Sequence, residues 1–407
     1  MLSRRPPFRN VSPVTNFTFS FAILFCVLVS TGWAQSYQAD ITATANWMAS
    51  SSVTLSDGAV LSGANSTEIN PYFANLGVHG FAEDSTYYNN IDNYMTWFWN
   101  NVGWPLYFNS TGCTTAQTAT DLYGAIPDFS VSGGVVTAEC NALHPDSTDS
   151  YAGTFLSLAY ADWQTGNASA QSYIESITGS GGDHLDYEGE VVLGTLQSNN
   201  LTWAKPLYNI QYLEDNSEAY RGLQDLVSLY TALYNKTNDS AYETKASFYS
   251  RYAQDMQSAI TTTLWDSATN GNDFYSYTTN GGQGSPVAWS TWYGTNGAVS
   301  EVFPIALGVI SPTSTQAKDV WNTFQSNWKS QWVSLNADPS GYPWVIVGYT
   351  AALMGDTADA NTFIKNIETQ FVNTNFNGCV TENGQQVCKN WSVNEAGYFM
   401  RLCALMK

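Results

Sequence analysis

The chain carries few charges, yet it repeatedly sets a carboxylate just before, or inside, the first turn of an apolar stretch. Only 12% of its 407 residues are charged. The segments are Ser66-Thr67-Glu68, Asp146-Ser147-Thr148-Asp149-Ser150-Tyr151, Glu214-Asp215-Asn216-Ser217-Glu218, Glu301, Tyr342-Pro343-Trp344, and Trp391-Ser392-Val393-Asn394-Glu395. Any one of them alone reads as a helix start. Asp and Ser cap free N–H groups, and an early Glu favours the helix dipole. The repetition argues for more. A carboxylate running into a wholly apolar helix is partly desolvated, which lifts its pKa toward that of a general acid at neutral pH. A second, ionised carboxylate beside it makes an acid–base pair.

Aromatic residues gather near the same starts: Tyr72, Tyr151, Trp203, Trp344 and Trp391, with Trp289, Trp292 and Tyr293 together in one loop. Flat rings stack on the apolar faces of sugars, and their polar tips tolerate water. Carboxylate pairs with aromatic platforms suit hydrolysis of a glycosidic bond, where one acid protonates the leaving oxygen and a second carboxylate activates water or attacks. Glu68 is the expected general acid and Asp215 the base, with Asp149 holding the sugar or sharing the base role. Glu218 and Glu395 are further candidates. Lys205, unusual in so acidic a chain, is expected in the cleft floor beside Trp203. This chemistry needs no cofactor or metal. With three histidines and no Cys/His metal spacing, zinc chemistry and a Ser-His-Asp triad have little support.

Acids scattered over three hundred residues meet only if the fold gathers them. The body of the chain repeats a pair: an apolar helix, a short polar turn, an amphipathic helix. The pairs start at Pro71, Asp149, Ser217, Gly297 and Tyr342, with a weaker one over Tyr187–Leu196 and Trp203–Tyr208, and a last helix over Asn394–Met406. Ser311 and Asp356 stand where caps belong. First helices that are apolar all round, such as YPWVIVGYTAALM, are buried on more than one side; the second helices are surface helices. An inner ring inside an outer ring is an all-α (α/α)6 barrel. An open solenoid would show a fixed period, and these units vary in length. The long segments 108–146 and 267–296 are expected to form short strands that wall a cleft.

Hydrophobic residues make up 44% and the net charge is −20. That composition excludes a disordered or coiled-coil protein. It also argues against nucleic-acid binding, which needs cations against phosphates. The start of the chain reads as an export signal over 1–34: Arg4, Arg5 and Arg9, an apolar run Phe19–Leu28, then Gly32-Trp33-Ala34. That run is too short to span a bilayer. A secreted (extracellular or periplasmic) chain from 35 to 407, one catalytic domain, acting as a monomer with no membrane span, is expected. Export permits disulfides, and Cys113–Cys140 and Cys379–Cys388 are the economical pairs, leaving Cys403 as a buried thiol.

At these residues the chain resembles the six-hairpin glycosidase superfamily, most nearly glycoside hydrolase family 8, whose members mostly cleave β-1,4-glucans, xylans or chitosan by inversion. The resemblance sets Ser66-Thr67-Glu68 against that family's Ser-Glu-Gly acid motif. It sets Thr148-Asp149 against a Thr-Asp motif that contacts the sugar, and Asp215 before Arg221 against its base. Glu68 is followed by Ile69 instead of Gly, and the spacing to Arg221 differs, which points to a separate, related family. The resemblance implies a glycoside hydrolase cleaving a neutral polysaccharide, a β-1,4-linked glucan or xylan, by endo action. Two rivals stand beside it. A polysaccharide lyase needs cations against a uronate, and Lys and Arg are few. A non-catalytic carbohydrate-binding protein would bind glycans and release no reducing ends.

Overall fold

The computed structural model describes residues 37–102, 106–109, 112–114, 120–122, 124–139, 145–179, 182–267, 272–279, 282, 284–382 and 384–407. The expected signal segment and Cys140 of the expected Cys113–Cys140 pair lie outside this set. Thirteen α-helices are present among the described residues: α1 (37–48), α2 (Pro71–His79), α3 (Tyr88–Asn101), α4 (Thr148–Gln164), α5 (Ala168–Ile177), α6 (His184–Thr195), α7 (Leu213–Thr237), α8 (Ser240–Thr263), α9 (Phe303–Ala306), α10 (Thr315–Val333), α11 (Val345–Leu353), α12 (Thr357–Gln370) and α13 (Val393–Leu405). Side chains start several of them. Asn70, Asn167, Asp183, Asp239 and Ser314 each accept a first-turn N–H, replacing a bond the helix cannot make internally.

Six of these elements form a closed ring. α2 packs on α4, α4 on α7, α7 on α9, α9 on α11, α11 on α13, and α13 back on α2. The remaining helices surround them. This is the expected (α/α)6 barrel. The inner helices are the apolar ones: α4 buries fifteen of its seventeen residues. Glycines let neighbours approach closely. A Cβ on Gly222 of α7 would sit 2.4 Å from the Gly153 carbonyl oxygen of α4, and one on Gly397 of α13 would sit 2.0 Å from the Leu76 carbonyl oxygen of α2. The obstacles are backbone atoms, which cannot swing aside.

The expected strands are there. Glu68–Ile69 pairs antiparallel with Asp128–Ser132, which pairs with Val135–Glu139; Asp273–Thr279 pairs with Ile210–Tyr212 and Ser285–Pro286. The hairpin Cys379–Glu382 with Gln385–Cys388 carries the Cys379–Cys388 disulfide, and Cys403 is a buried free thiol.

Three local expectations fail for identifiable reasons. Gly297–Ile310 is not one long helix. A 3-10 turn, Ala298–Val302, leads into the single turn of α9, and Gly308 at φ 75° ends it in a left-handed bend. Trp203–Tyr208 is an irregular loop, because Pro206 has no N–H and Leu207 takes φ 66°. The α10 cap is Ser314 instead of Ser311. Asp356 precedes α12 without capping it, its carboxylate accepting instead from Trp321 Nε1 and Gln325 Nε2. Sequence reading missed α1, which lies against α12, where Tyr37 Oη donates to Asn361 Oδ1.

Two acid pairs are built into the helix layers. Asp40 of α1 faces Glu368 of α12, and Asp92 of α3 faces Asp162 of α4. Asp40 and Asp162 are each pushed from 3.8 to about 8, by burial first and then by the facing carboxyl. A carboxyl whose pKa is raised on folding contributes stability that is fully present below its unfolded pKa. That stability is lost as pH rises through the folded value.

Two outcomes follow. Gly222→Ala should destabilise the fold by about 1–3 kcal/mol in urea unfolding, through overpacking against backbone; an unchanged midpoint would contradict the close α4–α7 seam. The unfolding temperature should fall as pH rises from about 4 to about 8, and Asp162→Asn, which cannot ionise, should flatten that fall.

Candidate active site

Ring closure brings the N-terminal ends of the inner helices to one mouth. A cavity of about 320 Å³ opens there, and every inner element contributes to its lining. α2 and its cap supply Asn70, Tyr72 and Phe73. α4 and the residues before it supply Asp146, Ser147, Ser150 and Tyr151. α7 supplies Glu214, Asp215 and Glu218, and Phe303 of α9 and Tyr293 follow. Asp338, Ser340, Tyr342 and Trp344 precede α11, and Ser392, Asn394 and Glu395 open α13. Among the described residues, six carboxylates line this space, and no Lys, Arg or His does.

Burial sets their titration. Asp215 is held well above the ordinary carboxylate range, by desolvation first and then by the charges of Asp149, Glu214 and Glu218. Glu214 rises to about 7 through burial and the Asp146 charge. Glu218 rises to about 8, mainly by burial; Tyr72 Oη, donating to its Oε1 at 2.6 Å, pulls the other way. Glu395 rises to about 7 through burial, against hydrogen bonds from the Val345 and Trp344 N–H groups. The Val345 N–H lies 2.6 Å from Glu395 Oε2. Trp344 makes this possible by taking φ 53°, which turns two successive N–H groups onto one carboxylate. Its indole Nε1 donates to Asp338 Oδ2.

Asp149 does not face the cavity. It is fully buried beneath the mouth, accepting from Ser147 Oγ at 2.8 Å, the Ser150 N–H at 2.9 Å and Thr202 Oγ1. Ser147 Oγ is also 3.0 Å from Asp215 Oδ2. One hydroxyl hydrogen cannot serve two carboxylates. The second contact requires a proton on Asp149 or Asp215, so the Asp149–Ser147–Asp215 chain holds one proton at neutral pH.

The sequence candidates therefore divide. Asp215, Glu218, Glu395, Tyr72, Tyr151 and Trp344 line the cavity together. Tyr72 stacks on Tyr151, with centroids 6.1 Å apart, and Tyr293 lies 4.7 Å from Trp344. Glu68, the expected acid, is exposed on its short strand, which pairs with Asp128–Ser132, and is not among the residues that line the cavity, although its charge reaches Tyr342, which is. Trp292 is core instead of platform, buried at 3% against Phe324 and Trp328. Trp391 packs among Trp47, Phe371 and Phe376, and Trp203 stands outside the lining. Lys205 holds the Pro145 carbonyl at 3.0 Å, so it positions the segment that carries Asp146 without lining the floor. Arg221 sits two turns deeper on α7 and pairs with Asp225 at 2.7 Å. Sequence reading missed Asp338, whose signal was the Asp-Pro-Ser-Gly turn just before Tyr342-Pro343-Trp344. Among the described residues, no three His, Cys, Asp or Glu side chains converge to hold a metal ion.

No family model and no curated protein sequence matches the chain. Solved structures match in shape. A glycosidase variant in complex with glucose superposes with a TM-score of 0.57 at 10% identity, over 92% of this chain and 96% of that one. The fold is the six-hairpin toroid. A family 76 α-mannanase from Bacteroides thetaiotaomicron gives 0.52 at 12% identity over 92% and 95%, and a D-mannose isomerase gives 0.50 at 11% over 91% and 97%. Such identities establish architecture alone.

Removing the Tyr72 hydroxyl takes a donor from ionised Glu218. In Tyr72→Phe the Glu218 pKa should rise further, as read by carbon NMR of the labelled carboxyl; a fall would contradict the bond's role.

Proposed function

We propose that the chain is a glycoside hydrolase whose acid and base stand on opposite walls of the mouth. The observation that carries this reading is the ring order. α7 and α13 are opposite members of a six-membered ring, and the starts of both, Asp215 and Glu395, line one cavity walled by tyrosine and tryptophan. Asp215, which shares a proton with Asp149 through Ser147, protonates the leaving oxygen. Glu395, fixed by two backbone N–H groups that favour its ionised form, activates water on the far side of the sugar. An acid and a water-activating base on opposite faces of the sugar would invert the anomeric centre. Glu218 with Tyr72, and Glu214, hold hydroxyls. Glu68 has no part in it.

The glycosidase neighbours support a saccharide substrate. One of them is an α-mannanase, so α-mannan stands beside the β-1,4-glucan and xylan suggested by sequence. A cavity of about 320 Å³ is at the small end for ligand sites; endo action requires the polymer to continue over the rim. Among the described residues, the lining offers none of the cations a lyase needs against a uronate. We further propose that residues 1–34 direct export of a monomeric catalytic chain, which the Cys379–Cys388 disulfide supports. No helix among the described residues is long and apolar enough to cross a membrane.

The test is reducing-end release from α-mannan, β-1,4-glucan and xylan. The natural chain should cleave at least one. Asp215→Asn and Glu395→Gln should each lower kcat by about 10²-fold or more, with unfolding temperatures preserved, and Glu68→Gln should leave turnover intact. Glycan binding without any release would replace the enzyme reading with the carbohydrate-binding one.

A further inference from the structure

A second, much smaller cavity lies one to two helical turns below the mouth, on the same ring axis. Its volume is about 20 Å³, room for one water-sized occupant. Arg221, Arg401, His79, Tyr398 and Ser157 line it, with Glu218 contributing to both cavities. Leu76 and Leu307 complete the wall.

The charges here do not balance internally. Arg221, whose side chain is 42% exposed, has its Nε on Asp225 Oδ2 at 2.7 Å. The Arg401 guanidinium lies 5.0 Å from the Tyr349 ring centroid and 4.9 Å from that of Tyr398. Among the described residues no carboxylate forms an ion pair with Arg401; Asp225 and Glu83 are the acids whose fields it reaches. Burial and the two arginines hold His79 neutral. Glu218, mostly protonated at neutral pH, offers no full counter-charge. The hydroxyl of Tyr398, which is 4% exposed, finds no acceptor. Two guanidinium groups against one carboxylate, an unused O–H donor and apolar walls describe a receptor for a single small negative charge.

We propose that this cavity binds one monovalent anion of halide size, chloride being the probe, between Arg221 and Arg401 with Tyr398 Oη donating to it. The volume favours a halide over sulfate, phosphate and sugar carboxylates. The site stands whatever reaction the mouth performs. Where the mouth is catalytic, the anion sits beneath Glu218 and favours its protonated form, since like charge opposes ionisation.

The experiment compares the full chain in sodium chloride, sodium gluconate and sodium sulfate at equal ionic strength. The unfolding temperature should rise with the logarithm of chloride concentration above the dissociation constant and exceed that in gluconate, while sulfate, which stabilises proteins by exclusion from their surface, should raise it equally in the unaltered chain and in Arg401→Gln. Arg401→Gln should abolish the chloride response. A crystal of the unaltered chain soaked in sodium bromide should show an anomalous peak between Arg221 and Arg401, which keeps the test independent of that variant's folding. Identical curves in chloride and gluconate with no bromide peak would overturn the proposal and leave the cavity to a water molecule.

Discussion

Ring closure is the constraint on which everything else depends. Six apolar helices cannot bury their faces singly, so they pack on one another until α13 meets α2. Closure aligns their N-terminal ends around one mouth, and the residues that start helices gather there. Each N-terminus carries a partial positive charge, which favours a nearby carboxylate by about 0.3–1 kcal/mol. Desolvation opposes it and is the larger effect, as the upward shifts of Asp215, Glu214, Glu218 and Glu395 record. The outcome is a set of acids that hold protons near neutrality. The two opposing walls are not equivalent. Three further carboxyl groups surround Asp215, whereas two N–H groups grip Glu395.

The same handling of acids recurs away from the mouth. Asp40 facing Glu368 and Asp162 facing Asp92 are raised to about 8 by burial and the facing carboxyl, where other proteins would place a lysine or arginine. In a chain with thirty-four acidic and fourteen basic residues, such pairs fit mildly acidic conditions. The few cations are placed with purpose. Lys245 bridges Asp183 and Asp186 at the start of α6, and Lys205 fixes the segment leading to Asp146. Arg221 and Arg401 meet on the axis beneath the acids.

Much of this was legible from the chain alone. Helix pairs of unequal length with apolar first members gave the barrel, and the rule that polar residues at inner-helix starts converge located Asp215, Glu218, Glu395, Tyr72, Tyr151 and Trp344. The failures share a cause: linear position does not reveal direction. Glu68 precedes α2 as Asp215 opens α7, but it lies on a two-residue strand paired with Asp128–Ser132 and stays outside the lining. Trp292 sits in a loop, yet that loop folds back onto α10 and buries the ring. Asp149 occupies the expected helix start but points beneath the mouth, where Thr202, from a segment fifty residues away, claims it. Asp338 was passed over because a turn rich in Pro, Ser and Gly reads as connection.

The most direct measurement is the position of a bound sugar. A crystal of the Asp215→Asn chain, soaked with the oligosaccharide that the intact chain cleaves, should place one ring between α7 and α13, its glycosidic oxygen within hydrogen-bond distance of residue 215 and a water held by Glu395 on the opposite face. A sugar seated on the outer side near Glu68, with the mouth left empty, would contradict the account.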